Sequence, residues 1–128
     1  MISMTPTDSA HVMLELIRFV RTQTQTGPKF TLANLATLFA VCENPGATQP
    51  DIASAVGSID PATLTRHLNL LSGLSTSEDM GVKPLVYTQR NVQNRRFNDV
   101  YLTEEGQRFA NDFAAHFSKI INRTVKPR

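Results

Sequence analysis

A chain of 128 residues with 41% hydrophobic and 19% charged residues has the size and make-up of one globular domain, able to bury a core without disulfides or a structural metal. The single cysteine, Cys42, excludes an internal disulfide, and with no second thiol or clustered histidine it argues against a zinc site. No stretch is apolar enough to span a bilayer, residues 1–10 lack the basic start and apolar run of a secretory signal, and a formal charge of +2 points only weakly to a polyanionic partner; the expectation is a cytoplasmic protein with no membrane partner.

Residues 1–7 read as a frayed tail, with Asp8 or Ser9 capping a first helix. Residues 11–21 spread Val12, Met13, Leu16, Ile17, Phe19 and Val20 around most of that helix. A surface this broadly apolar is buried on more than one side, by its own core or by a second subunit. Residues 22–29 are polar, contain Gly27-Pro28, and read as a loop. Thr31 caps a second helix over residues 32–42, which Asn44-Pro45-Gly46 stops. Thr48 opens a third helix: Thr48-x-x-Asp51 has the form of a capping box, and Pro50 is tolerated in a first turn. Ile52, Ala53 and Val56 face inward, and Gly57 lets the chain turn sharply.

Asp60-Pro61, a cap followed by proline, starts a fourth helix that runs to Leu71. A polar loop covers residues 72–83. Residues 85–90 read as a strand, 91–96 as a polar, basic turn and 98–102 as a second strand, making a hairpin. Thr103 caps a last helix whose positive first turn holds Glu104 and Glu105, with Arg123, Lys126 and Arg128 near its negative end. Phe109, Phe113 and Phe117 recur every four residues and continue into Ile120, Ile121 and Val125, an aromatic and aliphatic stripe.

Helix, helix, helix, short turn, helix, hairpin, helix is the layout of a winged helix-turn-helix. Residues 48–71 are its core, two short helices joined by a glycine-containing turn. At about 100° per residue, Ala62, Thr65, Arg66 and Asn69 share one face of the fourth helix and Leu64, Leu68 and Leu71 the other. The polar face suits a DNA major groove, since arginine donates two bonds to guanine, asparagine pairs with adenine, and threonines reach phosphates. No acidic residue shares that face. The hairpin tip adds Arg90, Asn91, Gln93, Asn94, Arg95 and Arg96, a basic loop able to reach a flanking minor groove.

These residues carry a resemblance. Gln49-Pro50-Asp51-Ile52-Ala53-Ser54-Ala55-Val56-Gly57, Asp60-Pro61-Ala62-Thr63-Leu64-Thr65-Arg66, Asn94-Arg95-Arg96 and Tyr101-Leu102-Thr103-Glu104-Glu105-Gly106 together resemble the MarR family of winged-helix regulators. The likeness runs over roughly residues 30–110. It implies a homodimer joined through the terminal helices, here Leu16, Ile17, Val20, Phe113, Phe117, Ile120 and Ile121, on a palindromic duplex DNA site. It implies that Arg96 is the wing arginine and that Thr63, Thr65 and Arg66 lie on the recognition helix, with Thr48 and Gln49 at the head of the preceding helix completing the DNA-facing set. Two features depart from the pattern. Asn94 stands where the family often has an aspartate that orients its arginine, an exchange expected to loosen the wing tip. The loop over residues 72–83 is longer than the usual step from recognition helix to wing, which would alter spacing on DNA or dock a partner.

Other residues read as packing. His67 borders the apolar face of its helix, His11 and His116 are far apart, and Cys42 ends an apolar helix as a buried, inert thiol. No glycine-rich phosphate loop, metal-ligand spacing or nucleophile–histidine–carboxylate set is present, so neither an enzyme nor a bound cofactor is expected. The expectation is one domain over residues 1–128. It is mostly helical with a small hairpin wing, residues 8–22 and 104–126 serving dimerisation and 31–102 DNA binding. The function expected is a sequence-specific transcription regulator, a repressor, with any small-molecule effector unidentified. The alternative is a winged helix that binds protein and has no specific operator.

Overall fold

The computed structural model describes residues 4–24, 30–73 and 84–124. Five helices and a two-stranded antiparallel sheet follow in the order α1 (Pro6–Thr24), α2 (Leu32–Glu43), α3 (Gln49–Val56), α4 (Pro61–Leu71), β1 (Val86–Arg90), β2 (Asn98–Leu102) and α5 (Glu104–Thr124). This is the mostly helical winged helix-turn-helix that the sequence pattern predicts.

Four of the starts lie where their caps predict, that of α5 at Thr103 included. Thr31 accepts the Asn34 N–H at 3.2 Å, Thr48 the Asp51 N–H at 3.3 Å, and Asp60 the Thr63 N–H at 3.3 Å. α1 is a correction. It begins at Pro6, inside the segment read as a frayed tail, and neither Asp8 nor Ser9 caps it. Thr5 does: its Oγ1 accepts the Asp8 N–H at 3.1 Å, while Asp8 Oδ2 accepts the Thr5 N–H at 3.4 Å. That reciprocal pair is a capping box, and Pro6 sacrifices no helical hydrogen bond in the first turn. α1 also continues to Thr24, past the expected loop start at Thr22. The Thr22 and Thr24 hydroxyls donate to the carbonyls of Arg18 and Val20, at 2.9 and 2.6 Å, so these polar side chains are satisfied within the helix. The rest of that loop, 25–29, and residues 74–83 of the expected long loop lie outside the described residues.

The main core forms where α2, α3, α4, the hairpin, α5 and the end of α1 converge. Leu38, Val41, Ile52, Leu71, Val86 and Val100 are fully buried there, with Leu64 and Leu68 from α4 and Phe109 from α5. Full burial of such a side chain contributes about 1.5–3 kcal/mol, so this cluster sets the positions of the helix-turn-helix and wing. A second, smaller cluster (Val12, Leu16 and Ile120) lies between α1 and α5, and Phe113 packs against both.

The hairpin pairs Val86 with Leu102, Thr88 with Val100 and Arg90 with Asn98. It is also tied to the segment leading into α3. Gly46 N–H donates to the Val100 carbonyl at 2.7 Å, Val100 N–H donates to the Ala47 carbonyl at 2.8 Å, and Thr48 bridges to Asp99. At its other end, Thr103 accepts the Gly106 N–H at 3.0 Å and donates its hydroxyl to the Pro84 carbonyl at 2.7 Å. α5 is thereby pinned to the entry of β1. Among the described residues no helix is long and apolar enough to cross a membrane.

Candidate nucleic-acid interface

The turn between α3 and α4 depends on two residues with positive φ, Gly57 at 122° and Ser58 at 63°. Gly57 meets that need without a Cβ clash. Asp60 then starts α4, and Leu64, Leu68 and Leu71 anchor it to the core, leaving Ala62, Thr65, Arg66 and Asn69 exposed on the opposite side. The geometric split read from the sequence is therefore present in the fold.

Hydrogen bonds refine this face in a way that periodicity could not. Thr63 Oγ1 donates to Asp60 Oδ1 at 2.5 Å and accepts from Arg66 Nη2 at 3.2 Å. These Thr63 bonds, side chain first and then backbone, hold the Asp60 carboxyl below its ordinary range. Thr63, predicted to touch DNA, is thus committed to a relay that orients Arg66, and an acidic group stands at the mouth of the helix. Sequence reasoning used Asp60 only as a cap. Its spacing from Thr63 and Arg66 was the available signal. Thr65 donates its hydroxyl to the Pro61 carbonyl at 2.9 Å and presents acceptor lone pairs outward.

His67 sits at the border, as expected, and gains a specific partner. Its Nδ1 lies 2.9 Å from Thr37 Oγ1 on α2. The Thr37 hydroxyl is also 3.2 Å from the Ala33 carbonyl, to which it donates, so the imidazole Nδ1–H donates to Thr37. Burial, then the Arg66 charge, pushes the His67 pKa below its usual 6.5. Cys42 is half-buried, and burial pushes its thiol up to about 11, which leaves it protonated and unreactive near neutral pH.

The wing turn is built on Asn91. Its Oδ1 accepts from the Gln93 and Asn94 N–H groups at 2.9 and 2.8 Å, and its Nδ2 donates to Asp99 Oδ1 at 2.9 Å. Asn94 Oδ1 in turn accepts the Arg96 N–H at 3.2 Å. The asparagine expected to loosen the tip therefore orders the backbone of the wing arginine. Arg90, Arg95 and Arg96 are all exposed. Among the described residues, the ion pairs are Arg18–Glu15 and Arg108 with Glu104 and Glu105, so none engages Arg66 or the wing arginines.

Some predicted residues come together and others do not. Gln49, Thr65 and Arg96 line one cleft of about 480 Å³, with Pro50, Pro61 and Phe97, between α3, the start of α4 and the wing. Thr48 instead serves as the α3 cap and the bridge to Asp99, and Ala62, Thr63, Arg66, Asn69, Arg90, Asn94 and Arg95 do not line that cleft. Of the residues assigned to dimerisation, Leu16, Val20 and Ile120 are buried within the chain. Phe113 and Ile121 are half-buried, and Ile17 and Phe117 are exposed. Met13, already part of the broad apolar surface expected of α1, and Leu14, 55% and 48% exposed, extend that surface; neither is among the residues expected to dimerise. Their place on the outer side of a helix apolar on most sides was the signal. His11 is exposed, and His116 stacks on Phe19 at 4.4 Å.

No family model matches the sequence, and no curated protein does. Solved structures match through their fold. The PcaV transcriptional regulator from Streptomyces coelicolor aligns with a TM-score of 0.55 at 20% identity, over 94% of this chain and 81% of that one. The S. aureus MepR–DNA complex aligns with a TM-score of 0.67 at 20% identity, over 89% of this chain and 82% of MepR. A MarR family transcription regulator aligns with a TM-score of 0.64 at 17% identity, over 89% and 66% of the two chains. At these identities the likeness is one of fold: the chain has the winged-helix architecture of these regulators.

Proposed function

We propose that this chain is a MarR-type transcription regulator, a homodimer that binds a specific duplex DNA site in the cytoplasm, represses by occluding polymerase, and catalyses no reaction. The observation that carries the reading is the pairing of two surfaces. The exposed α4 face (Ala62, Thr65, Arg66, Asn69) stands beside a wing bearing three exposed arginines, and none of these cations is paired with a carboxylate among the described residues. In this reading α4 enters a major groove, where Arg66 meets guanine N7 and O6, Asn69 meets adenine, and Thr65 meets phosphate. The wing arginines enter the flanking minor groove. A second copy joins through α1 and α5, whose exposed Met13, Leu14, Ile17 and Phe117 would be covered. MepR, solved in complex with DNA, supports DNA binding here. PcaV, solved with its natural ligand, supports control by a small-molecule effector.

The test is selection of bound sequences from a pool of random duplexes at two salt concentrations. Enrichment of an inverted repeat is the expected result and defines the operator. Salt-sensitive binding without enrichment would make the protein an architectural DNA binder. No binding at low salt would overturn the DNA reading in favour of a protein-interaction module.

A further inference from the structure

The wing tip presents an apolar side chain to solvent in the midst of polar and basic ones. Val92 lies between Asn91 and Gln93 and is 89% exposed. The turn that carries it is pinned from both sides. Asn91 N–H donates to the Phe97 carbonyl at 2.9 Å, the Asn91 amide holds the Gln93 and Asn94 N–H groups, and Asp99 holds Asn91 from the opposite strand. A β-branched side chain on a fixed turn has few rotamers to lose on contact. Its apolar surface gains nothing by standing in water.

We infer that Val92 reads the floor of the minor groove and favours base pairs that lack the guanine 2-amino group. This rests on the DNA-binding reading above. In the minor groove, A·T pairs show only the adenine N3 and thymine O2 acceptors, whereas G·C adds an N2 donor. Arg90, Arg95 and Arg96 bring donors alone, which suit those acceptors and cannot serve the amino group. Asn91 and Asn94, whose amide oxygens could accept from it, engage them inside the turn, while the exposed Gln93 beside Val92 carries a further amide oxygen that Val92 must outreach at the groove floor. Val92 pressed on a guanine amino group strips its water and replaces no hydrogen bond.

The experiment titrates the full chain and Val92→Thr against poly(dA-dT), poly(dI-dC) and poly(dG-dC) at one salt concentration. Hypoxanthine–cytosine pairs keep the major-groove face of G·C and lack the 2-amino group, so any difference between the last two polymers arises in the minor groove. The wild-type chain is expected to bind poly(dI-dC) about fivefold or more tightly than poly(dG-dC); poly(dA-dT), whose major-groove face differs from both, serves only to register binding where the 2-amino group is absent. Val92→Thr keeps the shape and adds a hydroxyl that accepts from the amino group; it is expected to bring the ratio toward one, chiefly by tightening poly(dG-dC). Equal wild-type binding to the two polymers overturns the inference and leaves the DNA reading intact. A preference that persists unchanged in Val92→Thr assigns it to groove width and arginine, and also overturns it. Absence of binding to all three polymers overturns the DNA reading itself. A matching thermal melt confirms that the exposed substitution leaves the fold in place.

Discussion

At the scale of single residues, Arg66 and His67 are neighbours with opposite tasks. Arg66 is exposed, bonded to Thr63, and aimed by the Asp60–Thr63 relay. Arg66→Ala should weaken operator binding by about 1–3 kcal/mol and relax base preference at one position. Fluorescence anisotropy on the selected operator and its single-base variants checks this, and a folded mutant with unchanged affinity and preference would remove Arg66 from the interface. His67 turns inward to Thr37, and burial followed by the Arg66 charge depresses its pKa below 6.5. The unfolded chain therefore binds this proton more readily than the folded one. Above pH 6.5 both forms are neutral and the group leaves stability unchanged; as pH falls below 6.5 toward the depressed folded value, stability is lost. Asp60 titrates in a separate window, below its usual 3.8. Urea midpoints followed from neutral pH down through the His67 window should decline in the wild type. The decline should be shallower in His67→Gln, whose amide still donates to Thr37; identical slopes would assign the acid loss to other groups.

Among the elements, the junction between β1 and α5 couples wing to helix. Thr103 joins them through both hydroxyl bonds, to Gly106 N–H and the Pro84 carbonyl. A Cβ on Gly106 would overlap the Leu85 carbonyl oxygen, so only glycine permits this close approach. Thr103→Val retains the shape and loses the cap and the carbonyl bond. Its expected cost is about 1–2 kcal/mol of global stability, read from urea unfolding. A change under a few tenths would mean that the helix start is held by the Leu85 contact alone. The wing depends on Asn91–Asp99 in a comparable way, although that bond fixes a loop rather than a helix end.

For the molecule as a whole, α1 and α5 form a second layer beside the main core. The cluster of Val12, Leu16 and Ile120 is small, and Met13, Leu14, Ile17 and Phe117 remain exposed next to it. Apolar side chains gathered on two neighbouring helices favour a further layer of protein against them. Ile17→Asp combined with Phe117→Asp should convert a dimer into a monomer in sedimentation equilibrium, with helical content retained, since both side chains lie outside the buried clusters. Loss of operator affinity should follow, because two half-sites then no longer share one binder. A double mutant that still sediments as a dimer would place the subunit contact elsewhere.

How much of this was legible depends on the reach of each interaction. Caps and their partners lie within one helical turn, so Thr31, Asp60 and Thr103 announce α2, α4 and α5 from sequence. The same local rule operates at Thr5-Pro6-Thr7-Asp8, where Thr5 rather than Asp8 or Ser9 caps α1. The polar face of α4 and the basic hairpin tip likewise follow from short-range period and spacing, as does the winged-helix order of elements. Contacts between distant positions needed the fold: Thr37 with His67 thirty positions on, the Asn91–Asp99 lock, and the cleft that joins Gln49, Thr65 and Arg96. The terminal helices show the limit most clearly. α1 is apolar on most sides, so its sequence determined that it would be covered broadly and left open by what. Only the packing of α1 on α5 decided that Leu16, Val20 and Ile120 turn inward while Ile17 and Phe117 stay outside, because a helix offers all its faces equally and the neighbour alone selects one.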